Sequence, residues 1–148
     1  MRYKNLEEEL KAVSLDGHSI QHIKKPSEAV QLAAVRQNDN SIFFIKKPSE
    51  AVQLEVVKIN SNNIQFIKNP LEAVQFEACK RNGWCIEYIK KPSLEAQLEA
   101  VKQDGWSIKY IKSPSFVVQF EAVKQDSENI EFIKNPEALF KKYPSLCI

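Results

Sequence analysis

The chain has 148 residues, of which 43% are hydrophobic and 27% charged, and its formal net charge is +2. This length suits one domain, and the apolar fraction argues against general disorder. No apolar run approaches the roughly 18 residues of a membrane-spanning helix, and no apolar signal segment is expected near the N-terminus. The odd cysteine count (Cys79, Cys85, Cys147) favours a reducing compartment, so we expect a cytoplasmic protein.

Proline positions reveal an internal repeat. Six of the seven prolines stand 22 residues apart, at Pro26, Pro48, Pro70, Pro92, Pro114 and Pro136. A fixed period of this length indicates a repeat protein. With Pro as the first position, the units are 4–25, 26–47, 48–69, 70–91, 92–113 and 114–135, followed by a C-terminal cap, 136–148. The whole chain, 1–148, is therefore predicted to be a single repeat domain, with Lys4 in place of the first proline.

The first half of each unit predicts an α-helix. Proline in the first helical turn is compatible with the helix, and Asn69 and Ser113 before it are candidate caps, as is the serine that follows proline in several units. Good helix formers such as Ala, Leu, Glu, Gln and Lys follow. Asp16-Gly17, and its equivalents in other units, predicts the helix end, since glycine tolerates the left-handed conformation.

The second half of each unit is shorter and contains two isoleucines three residues apart, with an aromatic residue or histidine before the second. This pattern favours a two-turn helix, partly 3₁₀. The β-branched content supports an alternative, a strand–helix coil like a leucine-rich repeat. Because one such unit cannot bury its apolar face alone, we predict an all-α solenoid of six to seven helix–turn–short-helix repeats.

The repeated strings themselves resemble a known repeat type. Ile-Lys-Lys-Pro-Ser-Glu-Ala-Val-Gln-Leu occurs at 23–32 and 45–54, and Glu-Ala-Val-Lys-Gln-Asp at 99–104 and 121–126. They resemble tandem helical repeats classed as a domain of unknown function in giant viruses, bacteriophages and intracellular bacteria. This resemblance covers about residues 4–140. It implies a helical array of viral or mobile-element origin, placed in the host cell cytoplasm, and it carries over no catalytic residue.

Several recurring columns are predicted to be packing positions. The two isoleucines and the column of Val35, Val57, Cys79, Val101 and Val123 are assigned to the core. The glutamine column (Gln31, Gln53, Gln75, Gln97, Gln119) predicts a hydrogen-bond ladder between repeats, with a ligand row as the alternative. Cys85 is expected nearer the surface. The two cysteines have no metal-site spacing, so no metal and no cofactor are predicted.

Lysine follows the second isoleucine in all six units, forming a lysine ladder of Lys24, Lys46, Lys68, Lys90, Lys112 and Lys134. Charge at a helix end explains the recurrence locally. The same row predicts a positive stripe that the net charge conceals, and such a stripe suits an acidic protein or a phosphate backbone.

Binding specificity is expected where the units differ. Trp84 and Trp106 follow the turn in consecutive units and are predicted to be neighbours. Tryptophan is enriched in binding hot spots, although each ring could instead pack over its own turn. Phe43, Glu87 and Lys109 occupy a second variable position.

These features predict a non-enzymatic module that binds a macromolecule. The candidate partner-binding residues are Trp84, Trp106, Phe43, Lys109, Glu87, Lys46, Lys68, Lys90 and Lys112. Another protein is the favoured partner, bound by steric masking, and the family resemblance suggests a phage inhibitor of a host defence nuclease. Non-specific nucleic-acid binding through the lysine ladder and a structural repeat protein are the alternatives. A monomer or small homo-oligomer is expected.

Overall fold

A computed structural model describes Tyr3 and residues 5–146, so Lys4 and Cys147 lie outside the described residues. Seven α-helices alternate with seven 3₁₀ helices in this part of the chain, and it contains no β-strand. The α-helices are α1 (Leu6–Leu15), α2 (Glu28–Gln37), α3 (Glu50–Ile59), α4 (Glu72–Arg81), α5 (Leu94–Gln103), α6 (Phe116–Gln125) and α7 (Pro136–Lys142). The 3₁₀ helices are η1 (Gly17–His22), η2 (Asp39–Phe44), η3 (Ser61–Phe66), η4 (Gly83–Tyr88), η5 (Gly105–Tyr110), η6 (Ser127–Phe132) and η7 (Pro144–Leu146).

The repeats stack in chain order. Each α-helix contacts the α-helix of the next repeat, and η1 to η6 contact one another in the same succession. The result is an α-layer and a 3₁₀ layer that share one elongated core. The predicted all-α solenoid is confirmed, and the leucine-rich-repeat alternative is wrong because the second element of each unit is a 3₁₀ helix.

The core consists of columns at fixed repeat positions. The isoleucine within each 3₁₀ helix is nearly or fully buried from Ile20 to Ile108, while Ile130 in the last full unit is half-buried. The predicted column from Val35 to Val123 is also buried. Cys85 was expected nearer the surface, but it is fully buried, because its position faces the neighbouring repeat rather than solvent.

The helix starts differ from the prediction. From Pro26 to Pro114, the prolines precede the N-cap instead of entering the first turn, and only Pro136 is a first-turn residue. Serine caps most of these helices, as where the Ser27 hydroxyl accepts a hydrogen bond from the Val30 N–H. Asn69 and Ser113 are not the caps, because the N-cap residues of α4 and α6 are Leu71 and Ser115. Proline therefore fixes the turn that leads into the cap.

One Asn or Asp per unit joins the two helices. Its backbone N–H closes the last α-helical turn, and its side chain accepts a hydrogen bond from the backbone N–H two residues on, which caps the 3₁₀ helix. At Asn60, the N–H donates to the Val56 carbonyl at 2.9 Å, and Oδ1 accepts from the Asn62 N–H at 3.1 Å. The same arrangement recurs at Asp16, Asn38, Asn82, Asp104 and Asp126.

The glycines that follow this residue have a steric role. None has a positive φ, so the predicted left-handed helix end is wrong. A Cβ on Gly17 would lie 2.5 Å from the Ala34 carbonyl oxygen and 2.6 Å from Ser41 Oγ, both in the next repeat. Glycine is needed because the neighbouring backbone lies too close for a side chain.

In the second unit, which lacks this glycine, a polar contact replaces the close approach. Asp39 occupies the glycine position in its unit, and its Oδ2 accepts a hydrogen bond of 2.8 Å from Asn63 Nδ2. Asn63 is 2% exposed. It occupies the same repeat position as Ser41, the residue that faces Gly17 one repeat earlier. At this interface an Asp–Asn hydrogen bond takes the place of the close approach between Gly17 and Ser41.

The glutamine column is mostly an intra-repeat feature. Each Nε2 donates to the carbonyl of its own unit's proline, as from Gln53 to Pro48 at 3.0 Å. Only Gln75 also bonds to the next repeat, where its Oε1 accepts from the Ser93 N–H at 2.8 Å. The predicted inter-repeat ladder is therefore largely wrong, because each glutamine amide donates its hydrogen bond within its own unit.

The C-terminal segment covers the last full unit. Leu139 on α7 is fully buried, and the Tyr143 ring lies 4.5 Å from the Phe120 ring between centroids. The C-terminal cap predicted from residue 136 begins with a helix, α7, which ends before Pro144.

Candidate protein-binding surface

Aromatic side chains link neighbouring 3₁₀ helices on the outer face of the 3₁₀ layer. The residue two positions after the joining Asn or Asp contacts the aromatic residue at the end of the next 3₁₀ helix. Ring centroids are 5.4 Å apart for His18 and Phe44, 5.7 Å for Trp84 and Tyr110, and 5.5 Å for Trp106 and Phe132. These separations suit offset or edge-to-face packing, which holds the rings in place.

Lys109 connects the two tryptophans. Its Nζ lies 4.7 Å from the centroid of the Trp84 ring, 5.7 Å from that of Trp106 and 4.8 Å from that of Tyr110. These are cation–π distances. The two tryptophans remain 40% exposed, so the predicted neighbours form one accessible site in which an amine sits between two large rings.

Asp104 bonds to the Trp84 ring and to the Trp106 backbone, so it orients the Trp84 ring and caps the 3₁₀ helix that carries Trp106. Its Oδ1 accepts from the Trp106 backbone N–H at 3.0 Å, and its Oδ2 accepts from Trp84 Nε1 at 2.6 Å. A carboxylate can make both bonds at once, which a serine cap could not do. We call Trp84, Asp104, Trp106, Lys109 and Tyr110 the tryptophan cluster.

Phe43 and Glu87 lie on the same layer. Phe43 is 67% exposed and packs edge-to-face against Phe44 and Phe66, with centroids 5.4 and 5.9 Å apart. Glu87 is exposed at the equivalent position of η4. The structure therefore gives a second aromatic group around Phe43, whose ring contacts are separate from those of the tryptophan cluster.

The predicted lysines Lys46, Lys68, Lys90 and Lys112 lie along a different part of the surface, where each 3₁₀ helix leads into the next α-helix. Every member of the lysine ladder is exposed, as are Lys25, Lys47 and Lys91 beside it. We call these nine lysines the basic edge. None of them forms an ion pair within the described residues, where side-chain ion pairs join Arg36 to Glu55 and Arg81 to Glu77.

Grooves separate successive lysine-proline turns of the basic edge. One of about 560 Å³ lies between the first and second turns, with Lys24, Lys25, Lys46 and Lys47 around it. A second of about 440 Å³ contains Lys68, Lys90 and Lys91, and a third of about 270 Å³ contains Lys112 and Lys134. Phe44, Tyr88 and Phe132 line these grooves. Phe44 and Phe132 also belong to the ring pairs on the outer face of the 3₁₀ layer, so that face adjoins the basic edge.

The buried cysteines lack the properties of reactive thiols. Burial raises the pKa of Cys79 to about 12, and burial also raises the pKa of Cys85. A protonated thiol is a poor nucleophile and metal ligand. Within the described residues, no group of three or more His, Cys, Asp or Glu side chains is placed to hold a metal ion.

Sequence reasoning missed Asp104. An Asn or Asp recurs every 22 residues at this position, and that pattern predicts a cap. The second bond, to the indole of the preceding repeat, depends on how closely the repeats stack. The sequence of a single unit therefore does not predict this second bond.

No protein-family model matches the chain, and neither a curated protein nor a solved structure shows significant similarity to it. The resemblance to viral and bacterial tandem repeats stays a prediction. Among the described residues, no helix has the length and apolar character required to cross a membrane.

Proposed function

We propose that this protein is a non-enzymatic scaffold that binds another protein through the outer face of its 3₁₀ layer. The observation that carries the proposal is the tryptophan cluster, in which Lys109 lies between the exposed rings of Trp84 and Trp106. Tryptophan and tyrosine supply large contact areas at low entropic cost, and they dominate many binding hot spots.

The rings are already fixed before a partner arrives. Asp104 bonds to the Trp84 indole, and Tyr110 and Phe132 pack against the Trp84 and Trp106 rings from the next repeats. A preorganised surface loses little conformational freedom on binding, so more of the contact energy contributes to affinity. Such a scaffold acts by covering a functional site on its partner, and it needs no chemistry of its own.

The sequence resemblance extends this proposal to a partner class, a host defence nuclease inhibited in the cytoplasm. Stoichiometric addition of the protein should then suppress cleavage by the nuclease. Undiminished cleavage across candidate nucleases would remove this extension and leave the scaffold proposal standing.

Capture from a lysate of the native host, followed by identification and purification of the partner, tests the scaffold proposal. Replacing Trp84 and Trp106 together by Ala should weaken the affinity for that partner by about tenfold or more, because hot-spot truncations cost 2 kcal/mol or more. Lys109→Gln, which retains most of the side chain, should weaken it by a smaller factor.

Phe76→Ala provides the matched control, since Phe76 is 37% exposed but lies on α4 and lines none of the grooves of the basic edge. Circular dichroism establishes that each variant is folded. Equal affinities for the tryptophan variant and the control would place the interface elsewhere.

A further inference from the structure

Within the grooves of the basic edge, the lysines are not balanced by acidic side chains. Its nine lysines are exposed, and the grooves between the first and second turns, the third and fourth, and the fifth and sixth contain no acidic side chain. By contrast, the lysines on the α-layer follow glutamates of their own helices, as Lys58 follows Glu55. The basic edge is therefore a local concentration of positive charge in a chain whose net charge is only +2.

Buried isoleucines form part of the floor of each groove, beside one glutamine of the glutamine column. Ile20, Ile23 and Ile45 line the first groove together with Pro26 and Phe44, beneath four lysines. Ile67 and Ile89 take the equivalent places in the second groove, and Ile111 and Ile133 in the third. Each of these grooves thus combines a partly apolar floor with a rim of amines, and the pattern recurs along the stack.

This combination points to the chemistry of the occupant. We propose that the basic edge binds an extended acidic peptide segment of the protein partner, with carboxylates on the lysines and apolar side chains in the grooves. The inference rests on the proposed function, since it assumes a protein partner. It adds a second contact surface and a defined chemical class.

Nucleic acid fits this surface less well. Glu28, Glu50 and Glu72 begin the α-helices just after the lysine-proline turns, and Glu87 and Glu131 lie on the adjoining 3₁₀ layer. A continuous row of phosphates would meet these carboxylates, whereas a peptide can place its charges selectively.

A fluorescent peptide of about 20 residues with a Glu-Glu-Leu repeat serves as the probe, and the matching Gln-Gln-Leu peptide is its control. Anisotropy at about 50 mM and about 300 mM salt measures the affinity and its electrostatic part. Single-stranded DNA of about 20 nucleotides is measured in parallel.

Two variants with the same net charge distinguish the contribution of the basic edge to binding from the effect of net charge. Lys46, Lys68, Lys90 and Lys112 are replaced by Gln in one, and Lys58, Lys80, Lys102 and Lys124 of the α-layer in the other. We expect the acidic peptide to bind, the edge variant to weaken binding by about tenfold or more, and the α-layer variant by less than about threefold.

Several results would overturn the inference: no binding of the acidic peptide, equal weakening by both variants, or tighter binding of DNA than of peptide through the same lysines. The last result would make the basic edge a nucleic-acid surface. Tryptophan-dependent capture without peptide binding would overturn only this inference. If the peptide binds but partner capture is unaffected by replacing the tryptophans, only the assignment of the tryptophan cluster would be overturned.

Discussion

At the scale of single residues, Gly17 sets the distance between the first two repeats. A Cβ at this position would lie 2.5 Å from the backbone oxygen of Ala34, which cannot rotate away. Gly17→Ala should therefore destabilise the protein by about 1–3 kcal/mol, as overpacking does elsewhere. Urea unfolding measures the change in the free energy of unfolding.

Ser127→Ala is the control for this prediction. Ser127 occupies the same repeat position in the last full unit but is exposed, so its replacement should change stability by less than about 0.5 kcal/mol. Similar losses for the two variants would contradict the steric role assigned to Gly17.

A second residue-scale prediction concerns Cys79, whose pKa is raised to about 12 by burial. In the unfolded chain the thiol ionises near pH 8.5. Between these values the unfolded state binds fewer protons than the folded state, so stability is present at lower pH and falls as pH rises. The decline is at most about 1.4 kcal/mol per pH unit.

Cys79→Val isolates this contribution, because valine occupies the equivalent buried position in neighbouring repeats. The stability of the wild-type protein should fall more steeply above pH 8.5 than that of the variant. Parallel pH profiles for the two proteins would show that Cys79 ionises freely in the folded state.

At the scale of elements, the junction between each α-helix and its 3₁₀ helix depends on one side-chain oxygen. Asn60→Ala removes the acceptor for the Asn62 N–H and should cost about 0.5–2 kcal/mol, the usual loss at a cap. Asn60→Asp keeps that oxygen and should be close to neutral. Urea unfolding of both variants decides between this capping role and a merely exposed turn, for which alanine and aspartate would behave alike.

Much of this element pattern was predictable from the sequence. The period of 22 residues, the α-helix in the first half of each unit and the two isoleucines follow from local periodicity, whereas the choice between a 3₁₀ helix and a strand in the second half required the structure. The helix starts and the steric role of glycine were not predictable in this way. Proline is compatible with several positions near a helix start, and glycine with several backbone conformations. The space left by the neighbouring repeat decides between them, and a single unit does not encode it.

The candidate site was predictable to a similar extent. Unit-to-unit variation identified Trp84, Trp106 and Lys109, which the structure brings together. Phe43 has its own aromatic contacts, and the lysine ladder lies on the adjoining basic edge. Their arrangement depends on which side of the stack each position faces, so it required the three-dimensional structure.

At the scale of the whole molecule, stability should be nearly additive over repeats, because each repeat contacts its immediate neighbours. Deletion of 92–113 joins Lys91 to Pro114 and places Gly83 opposite Asn129, which is the native neighbour of Gly105. The shortened chain should remain folded, with a smaller urea m-value and the same helical signal per residue.

Deletion of 92–102, half a unit, breaks the register and should unfold the segments that follow it. Circular dichroism and urea titration compare the two deletions. Equal loss of structure would contradict a stack of exchangeable repeats.

The most direct measurement of the proposed interface uses its own fluorescence, since Trp84 and Trp106 are the two tryptophans of the chain. With 5-hydroxytryptophan in their place, their emission can be excited separately from that of the purified partner. Iodide quenching is then compared for the free and the saturated protein. A partner bound on the tryptophan cluster should lower the quenching constant by about twofold or more, because contact buries rings that are 40% exposed. An unchanged quenching constant at saturation would contradict the assignment of this surface.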